Sequence, residues 1–212
     1  SRQEVFFICI LHATRAVNHI VQRLFDQIKD CLPKAAAFDD VISRSCGVKY
    51  ANEKDFLSGD GAAHGGGRWN PLGVRAVYGS LDVITATKES YQNLINAGFK
   101  NKNIRPRVIA GATVKVERLL DLTDANIRRK LGFRLDELLD EDWEGIQLGG
   151  EESWTQAIGR GCREAGFEGL LVPSARDRPK GKNLVIFPDK LAKGSSLQVI
   201  AKEDLPPHPS MW

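Results

Sequence analysis

Apolar positions first recur at helical spacing between residues 14 and 32, where Val17, Ile20, Val21, Leu24, Phe25, Ile28 and Leu32 mark one face. That period predicts an amphipathic helix ending near Pro33. The run Val5–Leu11 just before it is uniformly apolar, so periodicity does not say whether it is a strand or the start of the same helix. From Phe38 onward the pattern changes to short apolar segments between turn signals. A strand over Ala76–Tyr78 follows the Asn70–Gly73 turn. Asp82 is placed to cap a helix running through Ile84, Ala86, Glu89 and Leu94 and ending near Gly98.

The next strand is predicted over Val108–Val116, alternating toward its end. Thr123 or Asp124 opens a helix through Ile127 and Leu131, and residues 133–152 are acidic and helical or loop-like. Ser153 caps a helix through Trp154, Ile158 and Cys162 that stops at Gly166. Strands follow at Gly169–Val172 and Asn183–Phe187, then a last one over Leu197–Ala201. Strands and helices mix without regular βαβ alternation, which predicts an α+β fold with a mixed, largely antiparallel sheet and flanking helices. The organisation expected is an N-terminal helical extension over residues 1–37, a main domain over 38–203 and an irregular tail over 204–212.

Composition narrows the partners. The chain has 212 residues, enough for one sizeable core, and is 42% hydrophobic and 27% charged. Lys and Arg exceed Asp and Glu by only 30 to 27, so no basic footprint points to nucleic acid, while an anionic small molecule suits the slight excess. Basic runs at Lys100–Arg107 and Arg178–Lys182 read as solvated loops. Cys9, Cys31, Cys46 and Cys162 are scattered, which argues against a zinc knuckle or disulfide scaffold and for buried thiols. The histidines lack ligand spacing, so no metal site is expected. No apolar run is long enough to cross a bilayer and none resembles a signal peptide, so the expected location is cytoplasmic, with no membrane partner.

Candidate chemistry gathers in residues 65–90. Gly59–His64 fails the dinucleotide fingerprint and Gly61–Arg68 fails the P-loop pattern, so Gly65, Gly66 and Gly67 read as backbone needing positive φ or close approach; by themselves they favour a surface loop. Arg68 beside Trp69 and Asn70 suits bidentate capture of a pyrophosphate, against the commoner fate of a structural ion pair. Tyr78 offers a ring for stacking and a hydroxyl for hydrogen bonding, against an ordinary core tyrosine. Glu89, in a largely apolar helix, can accept ribose hydroxyls and stabilise positive charge at an anomeric carbon; otherwise it is an exposed residue beside Lys88. Nicotinamide leaving NAD already carries positive charge and departs neutral, so one carboxylate suffices and no general acid is needed. Ser174 is not in a Gly-x-Ser-x-Gly elbow, so ligand contact, not acyl transfer, is its expected role; Arg176 and Asn183 are close enough in sequence to share its pocket.

The combination of Gly67–Pro71, Ala76–Tyr78, Glu89, Pro173–Arg176 and Asn183–Val185 resembles the RES domain family, over roughly Phe38 to Ala201. Val41–Arg44 and Leu57–Ala62 are similar to the family's opening segment. The arginine, glutamate and serine of the family's name would be Arg68, Glu89 and Ser174, with Tyr78 as a fourth member. The resemblance implies a fold similar to that of ADP-ribosyltransferase toxins and a bacterial toxin that consumes NAD as substrate, with no separate cofactor. It implies cleavage of the nicotinamide–ribose bond by hydrolysis or phosphorolysis, an Xre-like antitoxin as partner, and a homodimer. Arg68, Tyr78, Glu89 and Ser174 are the catalytic candidates. Arg44 and Asn183 join Arg68, Tyr78 and Ser174 as candidate ligand-binding residues. Two other readings keep part of this picture: a mono-ADP-ribosyltransferase acting on a protein, and a non-catalytic nucleotide-binding or partner-docking module.

Overall fold

The computed structural model describes residues 19–96 and 107–211. The apolar run at Val5–Leu11, the first turn of the predicted helix at 14–18, the helix end near Gly98 and most of the basic run at 100–107 lie outside them. Among the described residues six strands carry the fold: β1 (Ala36–Gly47), β2 (Val77–Ser80), β3 (Arg107–Asp121), β4 (Gly169–Pro173), β5 (Lys182–Ile186) and β6 (Ser196–Val199). The helices are α1 (residues 19–29), α2 (Asp60–Gly65), α3 (Val83–Asn96), α4 (Ala125–Leu131), α5 (Leu135–Asp140), α6 (Trp143–Leu148) and α7 (Trp154–Ala165).

The strands run in the order β1-β2-β5-β4-β3-β6, and β1 also pairs with β3, so the first five close into a ring. Only the β3–β4 pair is parallel; the others are antiparallel. The expected α+β class with a mixed, largely antiparallel sheet is what the chain forms. The ring is unevenly closed. β1 and β3 stay paired from Ala36↔Leu119 to Gly47↔Arg107, whereas β1 meets β2 at Ser43↔Ser80 alone. Beyond that point the two strands part, and the space between them is where the site lies.

Local signals act where they were expected. Asp124 accepts the Asn126 N–H and Ser153 accepts the Gln156 N–H, while Gln156 reaches back to the Ser153 N–H, a full capping box at the head of α7. Gly166 closes α7 with φ of +94°, a left-handed position that suits glycine. On β3, Ala112, Val114 and Val116 face the core while Thr113, Lys115 and Glu117 face outward, the period of a half-buried strand.

Three departures have clear causes. β1 is a continuous twelve-residue strand where only short segments were expected, because Asp39 and Asp40 interrupt its apolar pattern while pairing with β3 holds it extended. The short helix α2 occupies Asp60–Gly65, whose glycines favour a loop by local preference. Within the tail expected to be irregular, a 3₁₀ turn forms at Pro209–Met211.

The largest core cluster joins Leu24 and Ile28 of α1 to Trp69, Ile158, Cys162, Phe167 and Val185, so α1 packs into the same interior as α7 and the central strands. Cys31, Cys46 and Cys162 are buried and free, in keeping with the thiols expected. Among the described residues no helix is long and apolar enough to span a membrane.

Among the described residues Glu168 is a fully buried carboxylate, and the partners of its oxygens are structural. Its Oε2 accepts the N–H groups of Glu117 and Arg118 at 3.0 and 3.1 Å, and its Oε1 accepts the Ala192 N–H at 2.9 Å. Burial by itself would raise its pKa, but the N–H donors of Ala192 and Glu117 and the charge of Arg118 outweigh it and hold the carboxyl below its ordinary value. A group depressed in the folded state contributes stability that is complete above its unfolded pKa of about 4.3 and is lost as pH falls through the folded value. Glu168→Gln should therefore cost about 1–3 kcal/mol at pH 7 in denaturant unfolding and flatten the acid side of the stability curve. Equal stability of variant and parent at pH 7 would remove the carboxylate from the folding interactions.

Candidate active site

The parting of β1 and β2 opens a cleft of about 1060 Å³. Its walls come from β1, the α2–β2 segment, α3, the start of α6 and the loop after β4. That volume is at the upper end of small-molecule pockets, which run to about 1,000 Å³.

Glu89 of α3 lines this cleft. Its Oε1 receives two hydrogen bonds: Ser174 Oγ at 2.6 Å and Asn183 Nδ2 at 2.7 Å. The direction of the first is fixed by the backbone. Ser174 Oγ already accepts the N–H groups of Arg176 and Asp177 at 3.1 and 2.9 Å, so its own proton goes to Glu89. Both donors meet the same oxygen, so Glu89 is oriented through Oε1. The same loop is tied to α3 a second time, through the Lys88–Asp177 ion pair at 2.5 Å. Lys88 thus has Asp177 as its ion-pair partner.

Arg68 follows the glycine turn. Its Nη1 donates to the carbonyls of Leu138 and Glu141 at 2.9 and 3.1 Å, which orients the guanidinium while leaving its other nitrogens unspent on those two acceptors. Burial pushes its pKa down and the nearby Arg176 pushes it further, with Glu141 and Glu89 acting in the opposite sense. Arg68 and Arg176 line both the main cleft and a smaller depression beside it. Two guanidiniums that repel one another in a partly desolvated place are stabilised by an anion between them.

Tyr78 and Asn70 build the turn that carries Arg68. Tyr78 Oη donates to Asn70 Oδ1 at 2.7 Å and accepts the Trp69 N–H at 3.0 Å. Asn70 is wholly buried, and its Nδ2 lies 2.9 Å from the carbonyls of both Ala62 and Val74. Gly67 fits because it has no side chain: a Cβ there would stand 2.6 Å from Tyr78 Oη. Gly66 takes φ of +70°. From behind, Gln156 of α7 donates to the Gly67 carbonyl at 3.2 Å. Gly66 and Gly67 thus serve the two purposes expected of them, positive φ and close approach, while Gly65 serves neither.

A family model described as the RES domain matches residues 41–208. The chain belongs to the RES domain family. Among its relatives, the NAD(+) phosphorylase MbcT of Mycobacterium tuberculosis (strain ATCC 25618 / H37Rv) is 28% identical over 169 residues, 78% of this chain and 84% of that protein. MbcT of Mycobacterium bovis (strain ATCC BAA-935 / AF2122/97) shows the same identity and coverage. Among solved structures, that of the M. tuberculosis MbcT–MbcA toxin–antitoxin complex superposes with a TM-score of 0.64 at 24% identity, covering 86% of this chain and 96% of that chain. At that identity the likeness speaks for the fold.

This RES domain brings Arg68, Tyr78, Glu89 and Asn183 to one cleft. Ser174 is different: it is 1% exposed, does not line the cleft, and meets Glu89 instead. Tyr78 lines the cleft with its hydroxyl already committed to Asn70 and Trp69, so its ring is the part left for stacking. Arg44 also lines the cleft, but its Nε donates to the Phe56 carbonyl at 2.8 Å and its Nη1 to the Tyr78 carbonyl at 2.7 Å. Its guanidinium lies 5.8 Å from the Phe56 ring centroid. It thus joins β1 to β2 just past their single paired position. The sequence did not single out Arg107, Trp143 and Ser80 for the site; Arg107, expected at the end of a solvated basic run, instead opens β3. Arg107 and Trp143 line the cleft; Ser80 bonds Asn183, 103 positions away.

Tyr78→Phe keeps the ring and removes the hydroxyl that holds the Arg68 turn. It should lower stability by about 1–3 kcal/mol in denaturant unfolding, because the buried Asn70 Oδ1 and Trp69 N–H lose their partner. Unchanged stability would mean that water replaces the hydroxyl without cost.

Proposed function

We propose that this chain is an NAD-consuming toxin that breaks the bond between nicotinamide and ribose and is neutralised by a cognate antitoxin. The observation that carries the reading is Glu89, held by Ser174 and Asn183 through one oxygen at the wall of a cleft that also holds Arg68 and Arg176. The RES family match and the relatives named NAD(+) phosphorylase support it.

The chemistry follows from the charge on the substrate. The nicotinamide nitrogen is positive in NAD. When the C–N bond breaks, its electron pair goes to the ring, which leaves neutral and needs no proton. Positive charge then grows on the ribose anomeric carbon, as in other glycosidic cleavages. The Glu89 carboxylate is the group that stabilises it, in surroundings of reduced dielectric where a fixed carboxylate acts more strongly than in water. Arg68, with Arg176, holds the pyrophosphate. The ring of Tyr78 positions the nicotinamide side. Ser174 acts by orienting Glu89. Asn183 orients Glu89 from the cleft wall, and Arg44 keeps the wall in place.

Phosphate is the acceptor that the relatives' name favours. Its oxygen forms the new bond to the anomeric carbon, giving free nicotinamide and ADP-ribose phosphorylated at that carbon, with a proton released to solvent. Water in the same place would give ADP-ribose, and a protein side chain would give a modified protein. The toxin–antitoxin complex among similar structures supports an antitoxin partner. The family resemblance adds that this partner is Xre-like, that the toxin is a homodimer, and that it acts in the cytoplasm.

The test is NAD loss by the purified chain, with products separated by chromatography in buffers with and without phosphate. Phosphate-dependent loss is expected, falling at least 100-fold in Glu89→Gln and in Arg68→Ala, in the range of a lost transition-state contact of this kind. Full turnover by either variant would overturn the assignment of that residue. Phosphate-independent release of ADP-ribose would make the chain a hydrolase, and label transferred from NAD to protein would make it a transferase.

A further inference from the structure

Ser80 is the last residue of β2, is 4% exposed and does not line the cleft. Its Oγ donates to Asn183 Oδ1 at 2.7 Å, and the two residues are direct partners in the β2–β5 ladder. Asn183 Nδ2 in turn donates to Glu89 Oε1. The two ends of an amide are chemically opposite, one an acceptor and one a donor. Turned the other way, Asn183 would set its oxygen against the Glu89 carboxylate oxygen, two acceptors face to face. The Glu89 carboxylate, an acceptor only, therefore fixes which end of the amide faces it, and the hydroxyl of Ser80 gives the amide oxygen its partner on the far side and holds the side chain in that place. Ser80 is also the β2 residue that meets Ser43, at the single point where β1 and β2 pair. The position that ends the sheet contact thus also ends the hydrogen-bond chain to Glu89.

We infer that Ser80 is a positioning residue for Glu89, acting through Asn183 and touching neither substrate nor Glu89 itself. The catalytic consequence rests on the reading of Glu89 as the carboxylate that stabilises the ribosyl cation. Because Ser80 is outside the cleft wall, Ser80→Ala should lower kcat for NAD loss by about tenfold, the equivalent of one buried hydrogen bond, and leave KM within about twofold. Asn183→Ala should lower kcat at least as far. The double variant should be no slower than Asn183→Ala, since Ser80 then has nothing to hold. Ser80→Thr, which keeps the hydroxyl, should recover most of the rate. Additive losses in the double variant, or a fall in Ser80→Thr equal to that in Ser80→Ala, would overturn the inference. Should Ser80→Ala fail to fold, Ser80→Cys, with a weaker donor of similar size, takes its place in the cycle.

A second readout needs no turnover. In 15N-resolved NMR of the free protein, the Asn183 side-chain amide protons should exchange with solvent faster in Ser80→Ala than in the parent. Unchanged exchange would overturn the positioning role. Faster exchange in a protein that consumes no NAD would overturn the reading of the cleft as an NAD site, and leave Ser80 as the residue that orients Asn183.

Discussion

The architecture depends on how β1 and β2 fail to stay together. A ring of strands paired along its whole length would fill its interior with side chains and leave no room for a ligand. Here β1 contacts β2 at Ser43 and Ser80 and then separates. A separation of this kind exposes backbone acceptors, and Arg44 answers one of them, the Tyr78 carbonyl of β2, while its Nε bonds the Phe56 carbonyl in the segment between the two strands. Burial lowers the pKa of that guanidinium, while its two carbonyl partners and the Phe56 face compensate for lost water. The cleft is a gap in a sheet whose edges are bridged by an arginine.

Around that gap each functional group is held by a partner of its own, most of them behind the cleft wall; Asn183, which also lines the cleft, is the exception. Arg68 is set by carbonyls at the end of α5, Tyr78 by Asn70, and Glu89 by Ser174 and Asn183. The supporting groups are mostly backbone or buried amides. Helix α7 reinforces the arrangement: a Cβ at Gly159 would overlap the Trp69 carbonyl, so the helix sits directly against the turn that carries Arg68. A site preorganised in this way loses little to rearrangement when charge develops in it.

Much of this was legible in the sequence, for identifiable reasons. Helix caps are local chemistry: Asp82 and Ser153 are where the sequence placed them, and Asp124 is the one of the two candidates, Thr123 and Asp124, that caps its helix. The alternation in β3 was visible because one face is buried and the other wet. β1 was not legible as one strand, since what holds Asp39 and Asp40 extended is pairing with a strand some seventy residues further on. In the site, residue types announced Arg68, Tyr78 and Glu89, but the sequence placed Ser174 against a ligand where the fold turns it to Glu89. Ser80 carried no signal at all, because a serine ending a strand is ordinary until its cross-strand partner is known.

One serine governs two charges of opposite sign. The Ser174 hydroxyl accepts the amide of Arg176 and donates to Glu89, so the cation and the carboxylate take their places from the same atom. They are not independent parts that selection can tune one at a time. A change at this turn moves both poles together, and a lineage adapting the cleft to another ligand would have to revise the turn first or leave its charges where they stand.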